Sequence, residues 1–361
     1  MAKKLRYGIV GCGGCGCGKH LASYSRHADE IDYVAACDII PEKAASAAEK
    51  FGFAQTFTDY KEMFKKVKLD IVSVAVPNAF HAPIAIAALK AGINVHCEKP
   101  IALNAAEAQA MVDAKNASGK KLMVGLNNRY TETSLFAKKY IDDGHLGDIY
   151  MARCGWRRRR GIPGKGGWFT TKALSGGGPL IDLGVHFFDL TMFLMGFPAP
   201  TAVSASTYAK FINRDDMSTP LPEGTNNAGD PNGTCDVEDM ATGFVKLENG
   251  ASVSFEFSWA SNIEREMTYF ELLGTKGGMQ MINGELKIMG EVAGEVIDIL
   301  PKVKNVTAWG QNETRHFINC VKNNLEPMSP PEQAVKMMQI IDATYASAAS
   351  GREVIIEPVG V

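Results

Sequence analysis

The chain lacks the long apolar run that a membrane-spanning segment requires. None of its hydrophobic stretches approaches the roughly 20 residues with which a helix crosses a bilayer. The apolar stretch nearest the N-terminus, Leu5–Val10, is too short to be the core of a signal peptide and is followed at once by glycines. We therefore expect no membrane partner and a cytoplasmic protein.

A surplus of charge of either sign is also missing. The sequence has 38 Lys and Arg against 40 Asp and Glu, so its formal net charge is -2. Such a chain offers no global electrostatic reason to bind nucleic acid. We therefore expect its partner to be a small molecule.

The cysteines lack the regular spacing of a disulfide framework. Five of the eight occur in the first hundred residues, in or beside predicted buried strands: Cys12, Cys15, Cys17, Cys37 and Cys97. Reduced thiols in a cytosolic enzyme explain this distribution better than disulfides do.

What the chain does contain is typical of a globular protein. Hydrophobic residues make up 46% of it and charged residues 22%. A length of 361 residues is too great for one ordinary domain and suits two. The change of pattern described next predicts an N-terminal domain over residues 1–126 and a C-terminal domain over residues 127–361.

Short apolar runs alternate with helical patterns in the first region. The predicted strands are Leu5–Val10, Tyr33–Cys37, Ile71–Val76, Val95–Cys97 and Leu122–Gly125. The predicted helices between them are Lys19–Ala28, Pro41–Phe51, Ala82–Ala91 and a helix capped by Asn104 that runs through Asn116. This alternation predicts an α/β fold, a Rossmann-type doubly wound parallel sheet with helices on both faces.

Apolar, strand-like runs with hairpin-like turns dominate the second region. Asn249-Gly250, between two such runs, is a strong hairpin signal. The predicted strands are Ile149–Gly155, Ala202–Ala209, Met240–Leu247, Ala251–Trp259, Met267–Leu273, Gly278–Ile282 and Val354–Glu357. The predicted helices are Thr131–Ile141, Pro179–Met195 and Pro331–Ala349. The pattern predicts an α+β domain with a large, mostly antiparallel sheet.

A glycine-rich motif follows the first predicted strand. It satisfies the pattern G-x-G-x-x-G and contains Gly11, Gly13, Gly14, Cys15 and Gly16. Because it follows an apolar strand and opens a helix, it has the context of a dinucleotide-binding loop. The glycines permit the tight turn and let the backbone approach a pyrophosphate at the helix N-terminus. A plain glycine-rich turn is the alternative.

An acidic residue after the second strand decides between the two nicotinamide cofactors. Asp38 lies near the roughly 20-residue offset at which a carboxylate binds the adenosine ribose. The residues that follow, Ile39 and Ile40, offer no cation for a 2′-phosphate. We therefore expect NAD as the cofactor, with a solvent-facing turn aspartate as the alternative.

The same loop also raises the possibility of a metal site. Cys12, Cys15, Cys17 and His20 form a Cys-x-x-Cys-x-Cys-x-x-His pattern. Structural zinc normally takes its ligands from two separate segments, and four ligands within nine residues on a glycine loop are geometrically awkward. We therefore expect no metal.

Three further segments carry a family resemblance: Val76-Pro77-Asn78 with His81, Cys97-Glu98-Lys99-Pro100, and the Gly-Gly-Gly-x-x-x-Asp-x-Gly-x-His run from Gly176 to His186. With the glycine loop they resemble the Gfo/Idh/MocA oxidoreductase family over nearly the whole chain. The resemblance implies a Rossmann domain, a substrate domain whose open sheet often forms the oligomer interface, and Lys99, Asp182 and His186 in the active site. It also implies a substrate-contacting arginine at Arg129.

The residues themselves support these catalytic roles. Asp182 and His186 are spaced i, i+4 on a predicted helix, so both project from one face. A histidine that titrates near neutrality suits the role of proton acceptor, and a lysine can stabilise a developing alkoxide. We assign His186 as the proton acceptor, Lys99 as the hydroxyl-polarising residue and Asp182 as the residue that fixes substrate or tunes the pair. The alternative is a helix staple and a solvated lysine.

Further candidates lie near these segments. Pro77, Asn78 and His81 follow a strand end and should line the cofactor, and Glu98 is a candidate ribose-side or supporting residue. In the run Arg157–Arg160, Arg158 is a candidate clamp for substrate, and Trp168 could stack on a sugar face. The alternatives are a solvent- or partner-facing strand end and a packing anchor.

The expected reaction is hydride transfer between NAD and a secondary hydroxyl of a sugar, cyclitol or glycoside. The Arg-Arg-Gly-Ile-Pro-Gly segment followed by Trp-Phe-Thr is similar to gut-bacterial members that oxidise the C3 hydroxyl of a glucosyl group. The alternatives are an inositol or free-monosaccharide dehydrogenase, a non-catalytic NAD- or sugar-sensing regulator, and NAD-assisted glycoside hydrolysis. An exposed sheet face would make the protein a homo-oligomer: a dimer, a tetramer or a larger assembly.

Overall fold

The computed structural model of the protein describes residues 4–219, 229–230, 232–304 and 310–357. Their backbone forms two compact units. The first contains residues 4–127 and 310–335, and the second contains the other described residues. The expected domain limits, 1–126 and 127–361, stay a prediction.

A parallel sheet forms the centre of the first unit. Its six strands are β1 (Leu5–Val10), β2 (Ile31–Cys37), β3 (Gln55–Phe57), β4 (Ile71–Val74), β5 (Asn94–Glu98) and β6 (Leu122–Gly125). Their order is β3-β2-β1-β4-β5-β6, and all neighbours are parallel. The strand order reverses direction between β1 and β4, where ligands bind at the strand carboxyl ends in such sheets. The predicted Rossmann sheet is confirmed.

Helices cover this sheet. They are a π-helical turn at Gly16–Leu21 that continues into Ala22–Tyr24 and a 3₁₀ turn at Ser25–His27, the helices Pro41–Phe51, Tyr60–Lys66, His81–Lys90, Ala105–Ser118 and Gln311–Asn323, and a 3₁₀ turn at Asn78–Phe80. Asn104 caps its helix as predicted, because its side-chain oxygen accepts from the Glu107 N–H at 2.9 Å.

A nine-stranded sheet forms the second unit. Its strands are β7 (Ile149–Arg157), β9 (Pro200–Tyr208), β11 (Met240–Leu247), β12 (Ser252–Ser258), β13 (Met267–Gly274), β14 (Gly278–Ile282), β15 (Glu285–Val292), β16 (Glu295–Ile299) and β17 (Val354–Ile355), and β8 (Ile162–Pro163) pairs separately with β10 (Ser218–Thr219). The order is β16-β15-β14-β13-β7-β12-β11-β9-β17, antiparallel except for the β7–β12 pair. The predicted mostly antiparallel sheet is confirmed.

One face of this sheet belongs to the core. Ala152, Cys154, Phe255 and Phe257 on that face are buried, and the helix Val185–Leu194 packs against β7 and β13. Other helical segments that lie wholly or mostly in this unit are Glu132–Asp142, Lys172–Ser175, a π-helical turn at Leu180–Gly184, Pro331–Ser350, and 3₁₀ turns at Asn127–Tyr130, Trp168–Thr170 and Asp215–Met217. Among the described residues, no helix combines the length and the apolar character that crossing a bilayer demands.

Candidate active site

The glycine loop turns sharply between β1 and the helical segment that follows. Gly11 has a φ of +96°, and a Cβ there would lie 2.2 Å from the carbonyl oxygen of Ala75. A Cβ at Gly16 would lie 1.9 Å from the carbonyl oxygen of Gly11. Both positions therefore require glycine for the turn itself, because any side chain would collide with backbone.

The other two glycines of the motif face open space. A Cβ on Gly13 or Gly14 would meet no atom within 4 Å. Glycine at these two positions is thus not demanded by packing within the protein, and it leaves room for a group that approaches the backbone closely. This geometry fits the pyrophosphate of a dinucleotide. Cys15, between these glycines and Gly16, is exposed on the same loop.

Asp38 connects the loop to the end of β2. One of its carboxylate oxygens accepts from the N–H of Cys12 at 2.8 Å, and the other accepts from the N–H of Ile40 at 2.9 Å. Beside it, the side chain of Ile39 is 86% exposed. Sequence reasoning missed Ile39 as a candidate cofactor contact, although an apolar side chain directly after the ribose-binding acid could have signalled one.

The end of β5 carries Glu98 and Lys99. Lys99 is half-buried, and its N–H donates to Glu98 Oε2 at 3.2 Å. Glu98 is buried, forms an ion pair with Lys19 and lies 2.8 Å from His20 Nε2. These partners hold the pKa of Glu98 well below its usual range despite burial, which by itself acts in the opposite direction. A Glu98 with these partners supports the Lys99 turn rather than offering a free carboxylate to ribose.

His81 lies behind the same turn. Its ring is buried, with Nδ1 2.6 Å from the carbonyl oxygen of Pro100 and Nε2 2.9 Å from that of Val76. This placement favours a structural link between the ends of β4 and β5 over the expected cofactor contact. Pro77 is half-buried and Asn78 is buried at the start of the following turn.

Three side chains of this unit have the spacing of a metal site. The ligand atoms of Cys15, His20 and Glu98 lie within 4.8 Å of one another. The ammonium of Lys19, however, contacts the same oxygen of Glu98 that faces His20. A built-in cation therefore already neutralises the carboxylate that a metal would need.

Asp182 and His186 stand out on the helical segment of the second unit. Every residue from Pro179 to Leu194 is buried except these two, and both are half-buried. The segment begins with the π-helical turn Leu180–Gly184 and continues as the helix Val185–Leu194. The predicted pair is therefore the part of this apolar segment that a ligand can reach.

Aromatic side chains surround the pair at the ends of β7 and β12. The indole N–H of Trp259 donates to Asp182 Oδ2 at 3.0 Å. The ring centroids of Trp156 and His186 are 5.9 Å apart. The guanidinium of Arg158 lies over the same Trp156 ring, 4.8 Å from its centroid. These contacts bring Asp182, His186 and Arg158 into one neighbourhood. Neither Trp156 nor Trp259 was predicted as a site residue.

A buried carboxylate anchors the start of this helical segment. Glu238 accepts from the N–H groups of Gly178 and Leu180 at 3.0 and 3.3 Å, and from the hydroxyl of Tyr345 at 2.9 Å. Burial raises the pKa of Glu238, and the donors oppose that effect. Sequence reasoning missed this anchor because Glu238 is sixty residues away in the chain.

Arg129, the expected substrate contact, is engaged by side chains of its own unit. Its guanidinium is fully buried and donates to both oxygens of Asp189, at 2.7 and 2.5 Å. It also lies 4.8 Å from the ring of Phe193 and 5.2 Å from that of Phe197. The structure therefore favours a packing role within the second unit, with Asp189 as the partner of Arg129.

The remaining candidates have mixed surroundings. Trp168 is half-buried and stacks on Phe169 with a centroid distance of 3.8 Å. In the arginine run, Arg157 forms an ion pair with Glu256 at 3.0 Å, whereas Arg159 and Arg160 are exposed. Of the four arginines, the contacts connect Arg158 to the neighbourhood of His186.

Comparison with known proteins agrees with this geometry. Residues 5–126 match the oxidoreductase family with an NAD-binding Rossmann fold, and residues 135–280 match the GFO/IDH/MocA C-terminal domain. The chain belongs to the GFO/IDH/MocA family. It is an oxidoreductase-family protein whose cofactor is NAD.

Its relatives include several sugar dehydrogenases. The chain is 34% identical to the D-glucoside 3-dehydrogenase of Escherichia coli K12 over 359 residues, 97% of each chain. It is 34% identical to a levoglucosan dehydrogenase of Pseudarthrobacter phenanthrenivorans over 245 residues, 66% of this chain and 62% of that protein. The solved structure of levoglucosan dehydrogenase with NADH and levoglucosan has a TM-score of 0.82 at 26% identity and covers 98% of this chain and 100% of its own.

Proposed function

We propose that this protein is an NAD-dependent dehydrogenase that oxidises a secondary hydroxyl of a sugar, cyclitol or glycoside, with the C3 hydroxyl of a glucosyl group as its preferred target. The observation that carries the proposal is the selective exposure of Asp182 and His186 on an otherwise buried helical segment. The relative with 97% coverage is a D-glucoside 3-dehydrogenase, which supports glucosides over free cyclitols.

Each polar residue has a defined task in this reaction. NAD, when bound, supplies the hydride acceptor. An imidazole nitrogen of His186 takes the hydroxyl proton as the carbonyl forms, and the ammonium of Lys99 stabilises the developing negative charge on the oxygen. Asp182, held by the indole of Trp259, binds a substrate hydroxyl and orients it toward His186.

Substrate orientation falls to the side chains around this pair. Arg158, stacked on Trp156, donates to oxygens of the substrate. Trp168 offers a flat apolar surface that suits the C–H face of a sugar. The buried pairing of Arg129 with Asp189 maintains the packing beneath the helix.

Deuterium transfer tests the proposed carbon directly. The protein is incubated with NAD and with an aryl β-glucoside deuterated at carbon 1, 2, 3, 4 or 6, and the reduced cofactor is examined by mass spectrometry. We expect deuterated NADH from the carbon-3 substrate alone, together with a 3-oxo-glucoside. Deuterium from another carbon would disprove the C3 assignment, and turnover of myo-inositol without turnover of glucosides would favour the cyclitol alternative.

The proposal includes a homo-oligomer formed through the open face of the nine-stranded sheet. This is the face of the sheet that does not pack against the helix Val185–Leu194. Phe244, Arg153 and Glu271 lie in one row across it, on neighbouring strands. Phe244 is 38% exposed there, and Arg153 forms an ion pair with Glu271. Light scattering after size exclusion should give a dimer or tetramer for the native chain, and a monomer for Phe244→Glu.

A further inference from the structure

A group of ionisable side chains that the proposed mechanism does not use lies inside the first unit. We call it the Lys19 cluster. It contains Lys19, Glu98 and Glu313, whose side chains are 7%, 7% and 1% exposed, and the adjacent rings of His20 and His96, 0% and 1% exposed. These residues come from the helical segment after the glycine loop, from β5 and from the helix Gln311–Asn323.

Lys19 is the centre of the cluster. Its ammonium contacts Glu98 Oε1, lies 3.7 Å from Glu313 Oε2 and lies 3.4 Å from the carbonyl oxygen of Gly125. One ammonium therefore faces two carboxylates.

Glu313 is the less well satisfied of the two acids. Neither of its oxygens accepts a hydrogen bond from any residue that the structure describes. Oε1 lies 3.8 Å from His96 Nε2, and the other ring nitrogen of His96 lies 3.2 Å from the hydroxyl of Tyr24. As the third residue of the helix Gln311–Asn323, Glu313 also lies at the positive end of the helix dipole. Attraction to Lys19 and His96 holds the pKa of Glu313 below its usual value despite burial.

The charges of the cluster do not cancel. Lys19 and His20 hold the pKa of Glu98 well below its usual range, so both acids are ionised at neutral pH. Burial lowers the pKa of His20 to about 4, so its ring is neutral. Within the Lys19 cluster, two carboxylates against one ammonium leave one surplus negative charge in the low-dielectric interior, where charges act over longer distances than in water. The half-buried Lys99 at the end of β5 is not part of this count.

This surplus lies next to the cofactor side of the sheet. Glu98 is the last residue of β5, and in doubly wound sheets the ligand binds beyond the carboxyl ends of the strands. Oxidised NAD carries a positive charge on its nicotinamide ring, whereas NADH does not. A buried negative charge at this end of the sheet therefore interacts differently with the two forms of the cofactor.

We infer that the surplus charge of the Lys19 cluster makes the protein bind NAD⁺ more tightly than NADH, and that Glu313 is the residue that supplies this preference. The inference rests on NAD binding and not on the identity of the sugar substrate. A protein with this preference holds NADH less tightly than NAD⁺, which favours exchange of the reduced cofactor after alcohol oxidation.

The test compares equilibrium binding of the two cofactor forms without any sugar. NADH binding is measured by its fluorescence and NAD⁺ binding by calorimetry, in the native chain and in Glu313→Gln, which keeps the shape of the side chain but not its charge. We expect the ratio Kd(NAD⁺)/Kd(NADH) to rise about threefold to tenfold in this variant. An unchanged ratio in the folded variant would overturn the inference, since it would mean that the charge of Glu313 does not act on the nicotinamide ring.

Three further variants separate charge from packing. Glu313→Asp keeps the charge but shortens the side chain and should retain the native ratio. Lys19→Met combined with Glu313→Gln removes one charge of each sign and should also restore it. Glu326→Gln removes an exposed, paired charge from the same unit and should leave the ratio unchanged. If Glu313→Asp shifts the ratio as much as Glu313→Gln does, packing and not charge is responsible, and the inference fails. This comparison needs only the two single variants, so it holds even if the double variant does not fold.

Discussion

Selective exposure of single residues is the most informative feature of the second unit. In a helical segment buried over sixteen successive positions apart from two, the two half-buried polar side chains are the ones that a ligand can reach. Asp182 and His186 occupy those two positions, four residues apart. The spacing was visible in the sequence, but their exposure relative to their neighbours was not.

Replacing His186 tests the proton-acceptor role. We expect His186→Asn to lower kcat about 10²- to 10⁴-fold, because a neutral amide cannot accept the hydroxyl proton. The Kd for NAD, measured by calorimetry, should change little. His145→Asn, which removes an exposed histidine of the same unit, is the matched control and should keep native activity. A His186→Asn variant with a tenth of native activity would contradict the assignment.

Asp38 should set the preference for NAD over NADP. Loss of charge-assisted hydrogen bonds to the ribose in Asp38→Ala should raise the Kd for NAD roughly tenfold to a hundredfold. Loss of repulsion toward a 2′-phosphate should leave the Kd for NADP equal or lower. The ratio Kd(NADP)/Kd(NAD) should therefore fall, because its denominator rises and its numerator does not. Asp59→Ala removes another carboxylate that accepts from backbone N–H, at the Tyr60–Lys66 helix, and should leave the preference unchanged. Equal weakening of both cofactors would argue for a purely structural Asp38.

Among the elements, the start of the Pro179–Leu194 helical segment depends on a distant loop residue, Glu238, which precedes β11. Glu238 satisfies two N–H groups that the helix itself leaves without partners, at Gly178 and Leu180. A Cβ at Gly178 would lie 2.0 Å from the carbonyl oxygen of Glu238, so the backbones approach too closely for any other residue. This anchoring fixes the direction in which Asp182 and His186 project.

Removing the anchor should reduce both stability and activity. Glu238→Gln turns an acceptor of three hydrogen bonds into an amide whose NH₂ group faces other donors, at a cost of about 1–3 kcal/mol in the free energy of unfolding. Tyr345→Phe removes one donor and should cost about 1 kcal/mol. Urea unfolding measures both values. A Glu238→Gln variant as stable as the native chain would show that the helix start does not depend on this carboxylate.

How far the sequence predicts these elements depends on what stabilises each one. The parallel strands β1, β4 and β6 are largely buried on both faces, so they appear as mostly apolar runs. The helix Gln311–Asn323 and the hairpin β15–β16 were missed, because the first is largely polar and the second is mostly exposed. Lys99, Asp182 and His186 came from motifs, whereas Glu238, Trp259 and the Lys19 cluster arise from contacts between distant segments that no local pattern encodes.

For the molecule as a whole, buried ionisable groups make stability depend on pH. In the first unit the side chain of His20 is fully buried, and burial lowers its pKa to about 4, so its ring is neutral. Glu98, beside it, also has a pKa below its usual value. Both groups bind protons more readily in the unfolded chain than in the folded one. Mild acid therefore shifts the equilibrium toward unfolding through both of them.

The contribution of His20 to stability should change between the pKa of an unfolded histidine and the lower pKa of His20 in the folded protein. An unfolded histidine has a pKa of about 6.5, whereas His20 in the folded chain has a pKa of about 4. Between these two pH values the unfolded chain binds a proton at His20 and the folded chain does not. The stability that the neutral ring confers is complete above the unfolded pKa and is lost as the pH falls. Linkage then predicts that the native protein loses roughly 2 kcal/mol more than His20→Gln between pH 7 and pH 5, measured by urea unfolding. Attraction to Lys19 is the largest of the effects that lower the pKa of Glu98, and Lys19 is present in both proteins, so the difference reports mainly His20. Equal losses would mean that the ring is protonated in the folded protein.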